Sequence, residues 1–425
     1  MVRSKAFPSI LLIACTALAI TVANSGWSDA WSHLWHTTFS IQVGEVGLEK
    51  SLAHWLSDGL MVVFFFFVGL EIKHEVLDGE LQSMRQAILP IAAALGGMIA
   101  PAGIYAVTVW LHGNAAAARG WGIPMATDIA FALGVLALLG KRVPPGLKVF
   151  LATLAIADDL GAVLVIAVFY TKQITWGYLA LGALVLGVSW LCNRLGVRRT
   201  WPYVVFGLLI WATFLQSGVH ATIAGVALAM TVPARRALDE REFSRRGRLL
   251  LDEFDATADP TPRTNAAQLV TVHELAEHAQ AVQAPLQRMV HGLHPFVGHF
   301  VVPVFALANA GVVVGEAVGD TIRHAAAQGV FLGLLLGKPV GVLLASWLAC
   351  RLFGSSLPAN TTWRHVTGAS FLAGIGFTMS LFLNGLAFPG EPASLDAAKL
   401  AVLAASLCAG VIGFAILRTS RIPHL

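Results

Sequence analysis

The sequence predicts an all-α polytopic membrane protein with about twelve transmembrane helices. Of its 425 residues, 56% are hydrophobic and only 12% are charged, whereas soluble domains carry about 25% charged residues. The mean hydropathy is +0.72. The 41 glycines suit helices that pack closely in a bilayer, because small residues let their backbones approach. These figures exclude a soluble, disordered or nucleic-acid-binding protein, despite a formal net charge of +4.

Twelve mostly apolar stretches define the predicted spans, since a membrane-crossing helix needs about 20 such residues. They cover residues 9–26, 56–72, 87–111, 121–140, 146–170, 175–193, 201–216, 219–233, 295–314, 326–350, 365–387 and 398–417. The first stretch has an alternative interpretation. Its basic start and the apolar run from Pro8 to Ala23 are also the pattern of a cleavable signal peptide.

The basic residues support this topology. When the loops are assigned alternately to two sides, 22 of the 28 Lys and Arg fall on one side and five on the other, while Lys338 lies within a span. By the positive-inside rule, the first side is cytoplasmic. The sequence therefore predicts a multi-pass membrane protein, surrounded by membrane lipid, with both termini in the cytoplasm.

Two of the loops between spans are predicted to contain secondary structure of their own. Residues 38–48 alternate polar and apolar side chains about a glycine-containing turn, which predicts an external β-hairpin. A lone hairpin is marginally stable, so we expect it to pack against a neighbouring segment or a second protomer. Residues 234–290 form a charged cytoplasmic insertion that separates spans one to eight (1–233) from spans nine to twelve (291–425). Residues 255–264 predict a flexible, proline-containing linker between two polar helices.

Ionisable residues inside the spans are few, and by default such residues mark ion or proton pathways. They are Asp58, Glu71, Asp128, Asp158, Asp159 and Lys338. The adjacent Asp158 and Asp159 are the strongest signal, because two buried carboxylates this close cannot both ionise cheaply. We expect the pair to titrate as a unit and to take up a cation or protons. The alternative is that basic partners, Lys338 among them, neutralise both structurally.

Two spans carry signals for an interruption at membrane depth. Pro124 removes a backbone donor beside Gly122, which predicts a break near Thr127. Glycines mark a corresponding weak point in span eleven, from Gly368 through Gly374-Ile375-Gly376-Phe377-Thr378. Two interrupted helices in corresponding places of two halves are typical of a transporter binding site in a fold with inverted repeats. A simple kink in either helix is the alternative.

Helix breaks at these places would leave dipole ends facing one another within the bilayer. Asp128 would then compensate positive N-terminal ends, and Lys338 negative C-terminal ends. Lys338 also ends a glycine-rich run, Gly333 to Pro339. That run is one residue short of a P-loop and no Ser or Thr follows the lysine. ATP binding is therefore rejected.

Other motifs predict neither an enzyme nor a cofactor. The string from His273 to His278 reads His-Glu-Leu-Ala-Glu-His, and its spacing fits neither the zinc-protease motif nor its inverted form. A solvated helix face is favoured. The four cysteines lie in apolar stretches without a Cys-x-x-Cys pair, and so predict buried side chains rather than a disulfide framework or a metal site. They are Cys15, Cys192, Cys350 and Cys408.

These motifs together resemble the NhaA family of bacterial sodium/proton antiporters over roughly residues 7–418, apart from much of 234–286. The matching strings are Val68-Gly69-Leu70-Glu71-Ile72-Lys73, residues 126–134 (Ala-Thr-Asp-Ile-Ala-Phe-Ala-Leu-Gly), Asp158-Asp159, Ser217-Gly218-Val219-His220-Ala221-Thr222, Leu307-Ala308-Asn309-Ala310-Gly311, Gly337-Lys338-Pro339 and Gly374-Ile375-Gly376-Phe377-Thr378-Met379. The resemblance implies a fold with inverted repeats and exchange of cytoplasmic sodium or lithium for external protons across the bacterial inner membrane.

The resemblance also implies residue roles. It makes Asp159 the principal cation ligand and Asp158 its proton or cation partner, places Thr127 and Asp128 at the crossing of the broken helices, and lets Lys338 interact with the carboxylate pair. It further implies homodimers formed through the external hairpin.

For the ends of the pathway, the resemblance points to Asp58 outside and Glu71 inside. Family members often carry an acidic residue four positions before the His-Pro that opens span nine, where this chain has Val290. His291, His294 and His299 are candidates for a pH response, since imidazole titrates near neutrality. Three interfacial histidines without such a role are the alternative.

The predicted mechanism is alternating access, in which carboxylates hold either one sodium ion or protons. Two protons per monovalent cation would move net charge. Two other classes of membrane protein are alternatives to an antiporter. A membrane aspartyl protease uses paired carboxylates, but residues adjacent in one helix diverge by about 100°. An ion channel would need no coupled protonation.

Overall fold

A computed structural model describes residues 7–43, 46–79, 81–171, 174–257, 265–313 and 318–420. Over these ranges the chain is mostly helical, with one two-stranded antiparallel sheet. The all-α class predicted with a small hairpin is therefore confirmed.

The first part of the chain leads through the hairpin into two long helices. The elements are α1 (Phe7–Ala23), α2 (Ser28–His36), β1 (Thr38–Val43), β2 (Val46–Ser51), α3 (Leu52–Trp55), a π turn (Leu56–Leu60), α4 (Met61–Asp78) and α5 (Met84–Leu111). The strands pair from Thr38 opposite Ser51 to Val43 opposite Val46, so the hairpin extends three residues beyond its predicted end. Ser51 ends β2 and caps α3, because its hydroxyl accepts from the His54 N–H.

The second part contains the first interrupted span. It consists of a 3-10 helix (Ala116–Met125), α6 (Ile129–Leu139), a short 3-10 turn (Gly140–Arg142), α7 (Pro145–Phe169), α8 (Trp176–Arg194), α9 (Trp201–Ser217) and α10 (Ala221–Thr231). Pro145 suits the first position of α7, where no N–H is needed. Gly218 ends α9 with φ of 81°, a backbone conformation that favours glycine.

The last part contains the insertion and the second interrupted span. It consists of α11 (Glu240–Ala256), α12 (Ala266–Ala281), α13 (Pro285–Phe296), a π turn (Val297–Val301), α14 (Val302–Asn309), α15 (Val318–Arg323), α16 (Ala325–Leu332), a π turn (Gly333–Gly337), α17 (Lys338–Phe353), α18 (Trp363–Ala373), α19 (Phe377–Ala387) and α20 (Pro392–Arg418).

Each of the twelve predicted spans overlaps an apolar helix. Eight stretches are long and apolar enough to cross a membrane: Leu52–Asp78, Gln86–Leu111, Ala116–Leu139, Pro145–Phe169, Trp176–Arg194, Pro285–Asn309, Ala325–Phe353 and Pro392–Arg418. Two bent pairs add to these, α1 with α2 at 114° and α18 with α19 at 42°. The remaining two, α9 and α10, are apolar but shorter, with 17 and 11 residues. The predicted eighth span is thus a helix of only three turns.

The insertion contains the two predicted polar helices, α11 and α12, which pack against each other. Asn265 caps α12 and also donates a 2.7 Å hydrogen bond to the carbonyl of Thr257 at the end of α11. Arg246 and His278 lie 3.2 Å apart across the pair. Most of the predicted linker, residues 258–264 with both of its prolines, lies outside the described residues.

Helices α5 and α17 pack with their backbones in contact. At Gly96 and Gly341 the two backbones touch, and a Cβ on either would collide with the other helix. Small residues permit such an approach in a bilayer. The contact sets α17, and with it Lys338, directly against α5.

Candidate functional site

The two interrupted spans cross at Asp128. This residue caps α6, because its Oδ1 accepts a 2.9 Å hydrogen bond from the Phe131 N–H. Its Oδ2 accepts from the N–H and the hydroxyl of Thr378, at 3.1 and 2.6 Å, at the start of α19. Its own N–H donates to the carbonyl of Ile375 at 2.6 Å. One carboxylate thus faces the positive ends of two half-helices.

Two buried serines complete the crossing. Ser406 of α20 accepts a 3.2 Å hydrogen bond from the N–H of Phe377, the first residue of α19. The hydroxyl of Ser380 donates at 2.7 Å to the carbonyl of Ile123 in the 3-10 helix. The freed backbone groups are therefore covered by protein, as membrane depth requires. The break was predicted, and these serines were not. A lone serine in an apolar helix is the only signal in the sequence that could have indicated them.

Asp158 and Lys338 form an ion pair at the same depth. Their 2.6 Å bond joins Lys338 Nζ to Asp158 Oδ2, and both side chains are fully buried. Lys338 also donates to the carbonyl of Met125, the last residue of the 3-10 helix. Because the C-terminal end of a helix carries negative partial charge, this contact fits the charge compensation predicted for Lys338.

Thr127 connects Asp158 to the second interrupted span. Its hydroxyl oxygen lies 2.8 Å from Asp158 Oδ2 and also 2.8 Å from the carbonyl of Ala373, which ends α18. The hydroxyl carries one proton, so it donates to one of these oxygens at a time. Thr127 is fully buried.

Asp159 differs from its neighbour. It is 1% exposed, and neither carboxylate oxygen accepts a hydrogen bond from any of the described residues. Asp128, Asp158 and Lys338 are close enough to act on it electrostatically, as is Glu71 of α4. Hard oxygen ligands suit a small cation, so this carboxylate can hold sodium with Asp158, Thr127 or freed carbonyls completing its shell.

The remaining candidates lie on other elements. Asp58 occupies the π turn before α4 and pairs with Lys50 of β2 at 3.7 Å. His291 and His294 of α13 are exposed. Nδ1 of His291 lies 2.8 Å from the carbonyl of Gln287, and the His294 ring lies 5.9 Å from that of Phe67.

The structure therefore brings together five of the predicted site residues: Thr127, Asp128, Asp158, Asp159 and Lys338. Glu71 of α4 acts on Asp159 electrostatically, whereas Asp58, His291 and His294 make their described contacts outside that group. Among the described residues, no group of three or more His, Cys, Asp or Glu side chains has the arrangement of a resident metal site.

Two interrupted helices that cross beside buried carboxylates define a membrane transporter of ions. The sequence model of the family described as Na+/H+ antiporter 1 matches residues 1–417. The chain belongs to this family. It is accordingly a multi-pass transporter that exchanges sodium ions for protons, and it is not an enzyme.

Curated relatives agree with this assignment. The chain is 49% identical over 416 residues to the Na(+)/H(+) antiporter NhaA of Oleidesulfovibrio alaskensis, covering 97% of this chain and 92% of the relative. It is 47% identical over 415 residues to NhaA of Koribacter versatilis, covering 98% and 90%. It is also 45% identical over 414 residues to NhaA of Helicobacter pylori, covering 97% and 93%.

Proposed function

We propose that the exchange takes place at Asp158 and Asp159, with cytoplasmic sodium leaving the cell and external protons entering it. One observation carries this assignment. Asp159 is a buried carboxylate without a hydrogen-bond donor among the described residues, whereas Asp158 beside it is already bound to Lys338. A buried charge is costly unless it is compensated, so Asp159 requires a sodium ion or a proton.

The cycle follows from this requirement. Sodium binding needs an ionised Asp159, so its proton leaves before the cation binds. The second proton is carried by the Asp158–Lys338 pair, which binds it when sodium is absent. Only a compensated site crosses the low-dielectric interior cheaply. Two protons against one sodium ion move net charge, so the exchange is electrogenic and responds to the membrane potential. Lithium, with the same charge and preference for hard oxygen ligands, is a second substrate.

The supporting residues position this site, compensate its charge or lie along the pathway to it. Asp128 and Thr127 hold the two breaks in register, and Lys338 compensates Asp158. Asp58 and Glu71 attract cations at the outer and inner ends of the pathway. His291 and His294 contribute to a pH response, because imidazole changes charge near neutrality.

The proposed setting is the bacterial inner membrane, with both termini and the 234–290 insertion in the cytoplasm. The distribution of Lys and Arg supports this orientation. Spans one to eight and nine to twelve then form the transport body on either side of the insertion.

The external hairpin is proposed to join two protomers. An isolated two-stranded sheet offers unpaired edges for another chain. It is anchored at its base, because Trp55 Nε1 donates a 2.8 Å hydrogen bond to the carbonyl of Phe39. Deletion of residues 40–49 is expected to shift the purified protein from dimer to monomer in light scattering. An unchanged mass would contradict the role of the hairpin.

Transport in everted vesicles tests the site. A pH-sensitive dye inside wild-type vesicles should report alkalinisation of the lumen when sodium is added, and Asp159→Asn should abolish the response. Asp158→Asn should do the same or reduce it severely. Asp252→Asn, in the exposed part of α11, is the matched control and should respond like wild type. Full exchange by Asp159→Asn would refute the assignment, and sodium flux that ignores the proton gradient would favour a channel.

A further inference from the structure

The first half of span four is a 3-10 helix of ten residues, Ala116–Met125. Runs of 3-10 helix longer than about four residues are uncommon, because their hydrogen bonds have poorer geometry than those of an α-helix. The backbone rises about 2.0 Å per residue in a 3-10 helix and about 1.5 Å in an α-helix. The same ten residues wound as an α-helix would therefore end about 5 Å short of the present position of Met125 if Ala116 stayed in place.

Side chains of neighbouring elements donate hydrogen bonds to the carbonyls of this 3-10 helix. Within the described ranges, the donor–acceptor pairs are Tyr105–Ala117, Tyr170–Arg119, Ser380–Ile123 and Lys338–Met125. The donors lie on α5, at the end of α7, on α19 and on α17. Such donors from outside the segment offset the poorer bonds of a long 3-10 helix. The first half of span four is therefore held by its neighbours as well as by its own backbone.

The two tyrosines fit closely against the start of the 3-10 helix. Tyr105 and Tyr170 are buried, and each hydroxyl lies 2.7 Å from the carbonyl that it contacts. A Cβ on Gly120 would collide with the Tyr105 hydroxyl, and a Cβ on Gly122 would lie 3.2 Å from the Tyr170 hydroxyl oxygen. Glycine at these two positions therefore leaves room for both hydroxyls to reach the backbone.

Each tyrosine belongs to a helix that is coupled to the ion pair. Tyr170 directly follows α7, the helix that carries Asp158. Tyr105 lies on α5, which is in backbone contact with α17, and α17 begins at Lys338. The tyrosines therefore fix the start of the 3-10 helix relative to the helices that carry the ion pair, and the 3-10 form then sets the position of Met125 at its end.

We propose that Tyr105 and Tyr170 are positioning residues of the sodium site. By holding the first half of span four in its extended form, they keep Thr127, two residues beyond its end, beside Asp158. The inference rests on the proposed function of the carboxylate pair. In that cycle, protons bind to groups outside the 3-10 segment, whereas Thr127 or freed carbonyls help to complete the sodium shell. Loss of a tyrosine hydroxyl should therefore weaken sodium binding and leave the proton-binding groups in place.

The sodium dependence of exchange in vesicles is the first test. Tyr105→Phe and Tyr170→Phe remove only the hydroxyls, and each should raise the apparent KM for sodium several-fold with the maximal rate within about twofold of wild type. Tyr203→Phe is the matched control, because this buried tyrosine also donates to a carbonyl, that of Val197 at 3.1 Å. A merely structural role would lower the amount of folded protein, and thus the maximal rate, without changing KM. A wild-type KM in both single variants would therefore overturn the proposal.

Amide hydrogen exchange, read by mass spectrometry, is the second test. In Tyr105→Phe the amides of residues 116–125 should exchange faster than in wild type, whereas those of α9 should not change. Tyr203→Phe should leave residues 116–125 unchanged. Equal exchange of this segment in Tyr105→Phe and wild type would contradict the hold on the 3-10 helix. Asp159→Asn in the same vesicles tells the two proposals apart. Exchange of ions by that variant would refute the site itself, whereas its inactivity beside a wild-type KM in the tyrosine variants would refute only the positioning role.

Discussion

Lys338 donates a 2.6 Å hydrogen bond to Asp158, and neither side chain is exposed. Buried ion pairs contribute little net stability, but removal of one partner leaves an uncompensated charge. Substitution of one partner should therefore change the stability of the protein far more than the intact pair contributes to it.

Lys338→Gln is expected to lower the free energy of unfolding by about 3–5 kcal/mol, because Asp158 loses its cation in a low-dielectric interior. Thermal unfolding in detergent measures the change. Lys399→Gln is the control, since its 3.9 Å pair with Asp396 is partly exposed and such pairs contribute about 1 kcal/mol or less. Lys338→Gln combined with Asp158→Asn should recover most of the loss. Equal destabilisation by the two single variants would contradict the role of burial.

Asp128→Ala should destabilise the protein by about 2–4 kcal/mol, since a helix cap contributes about 1 kcal/mol and hydrogen bonds to a charged group about 1.5–3 kcal/mol. Asp128→Asn keeps one acceptor oxygen and should fall between this variant and wild type. Variants of Thr378, the partner of Asp128 at the crossing, provide a second test. Thr378→Val removes the 2.6 Å hydrogen bond from the Thr378 hydroxyl to Asp128, and Thr378→Ser retains it. If the Val and Ser variants unfold at the same temperature, the hydroxyl does not hold the crossing.

Gly341→Ala is expected to destabilise the protein by about 1–3 kcal/mol through overpacking, because the added Cβ would collide with the backbone of α5 at Gly96. Gly103→Ala, on α5 where nothing lies within 4 Å of the new Cβ, should be neutral or slightly stabilising. Thermal unfolding of both variants provides the comparison. Tolerance of Gly341→Ala would show that the two helices separate easily.

The insertion of residues 234–290 should respond to acid in a defined pH range. Hydrogen bonds from Arg245 and Arg246 lower the pKa of Glu242 to about 2, from an ordinary value of about 4.3. A lowered pKa stabilises the fold above the unfolded value, and that stabilisation is lost as the pH falls through the folded one. We expect amide exchange of α11 to rise between about pH 4.3 and pH 2. Glu242→Gln should show faster exchange already at pH 7, and identical exchange at pH 7 would exclude a role for the carboxylate.

Much of the fold could be predicted because the bilayer constrains sequence strongly. Apolar stretches of the right length indicate spans, and Pro124 together with the glycines between residues 368 and 378 indicates the breaks. The observed breaks, at residues 126–128 and 374–376, lie at the predicted Thr127 and within the broader predicted stretch from Gly368 to Thr378. The sequence could not indicate that the first half of span four is a 3-10 helix or that α10 has only 11 residues. Those features depend on which residues of neighbouring helices form hydrogen bonds with the backbone N–H and C=O groups.

In the candidate site, too, some features could be predicted from the sequence and others could not. Asp158, Asp159 and Lys338 were predicted because a charge among apolar residues is conspicuous. The pairing of Lys338 with Asp158 rather than with Asp159 depends on the rotation of α7 against α17, which no periodicity in the sequence fixes. Thr378 stood in a recognised motif without a role, and Ser406 was missed entirely, because a hydroxyl in a helix usually bonds its own backbone.

The bare contact of Gly96 with Gly341 has a mechanical consequence. Where two helix backbones are in contact, no flexible side chains lie between them that could change conformation when one helix moves. A displacement of one helix therefore displaces the other. The ammonium group that neutralises Asp158 is carried by α17. The reorientation that we propose for the site must therefore move α5 together with α17.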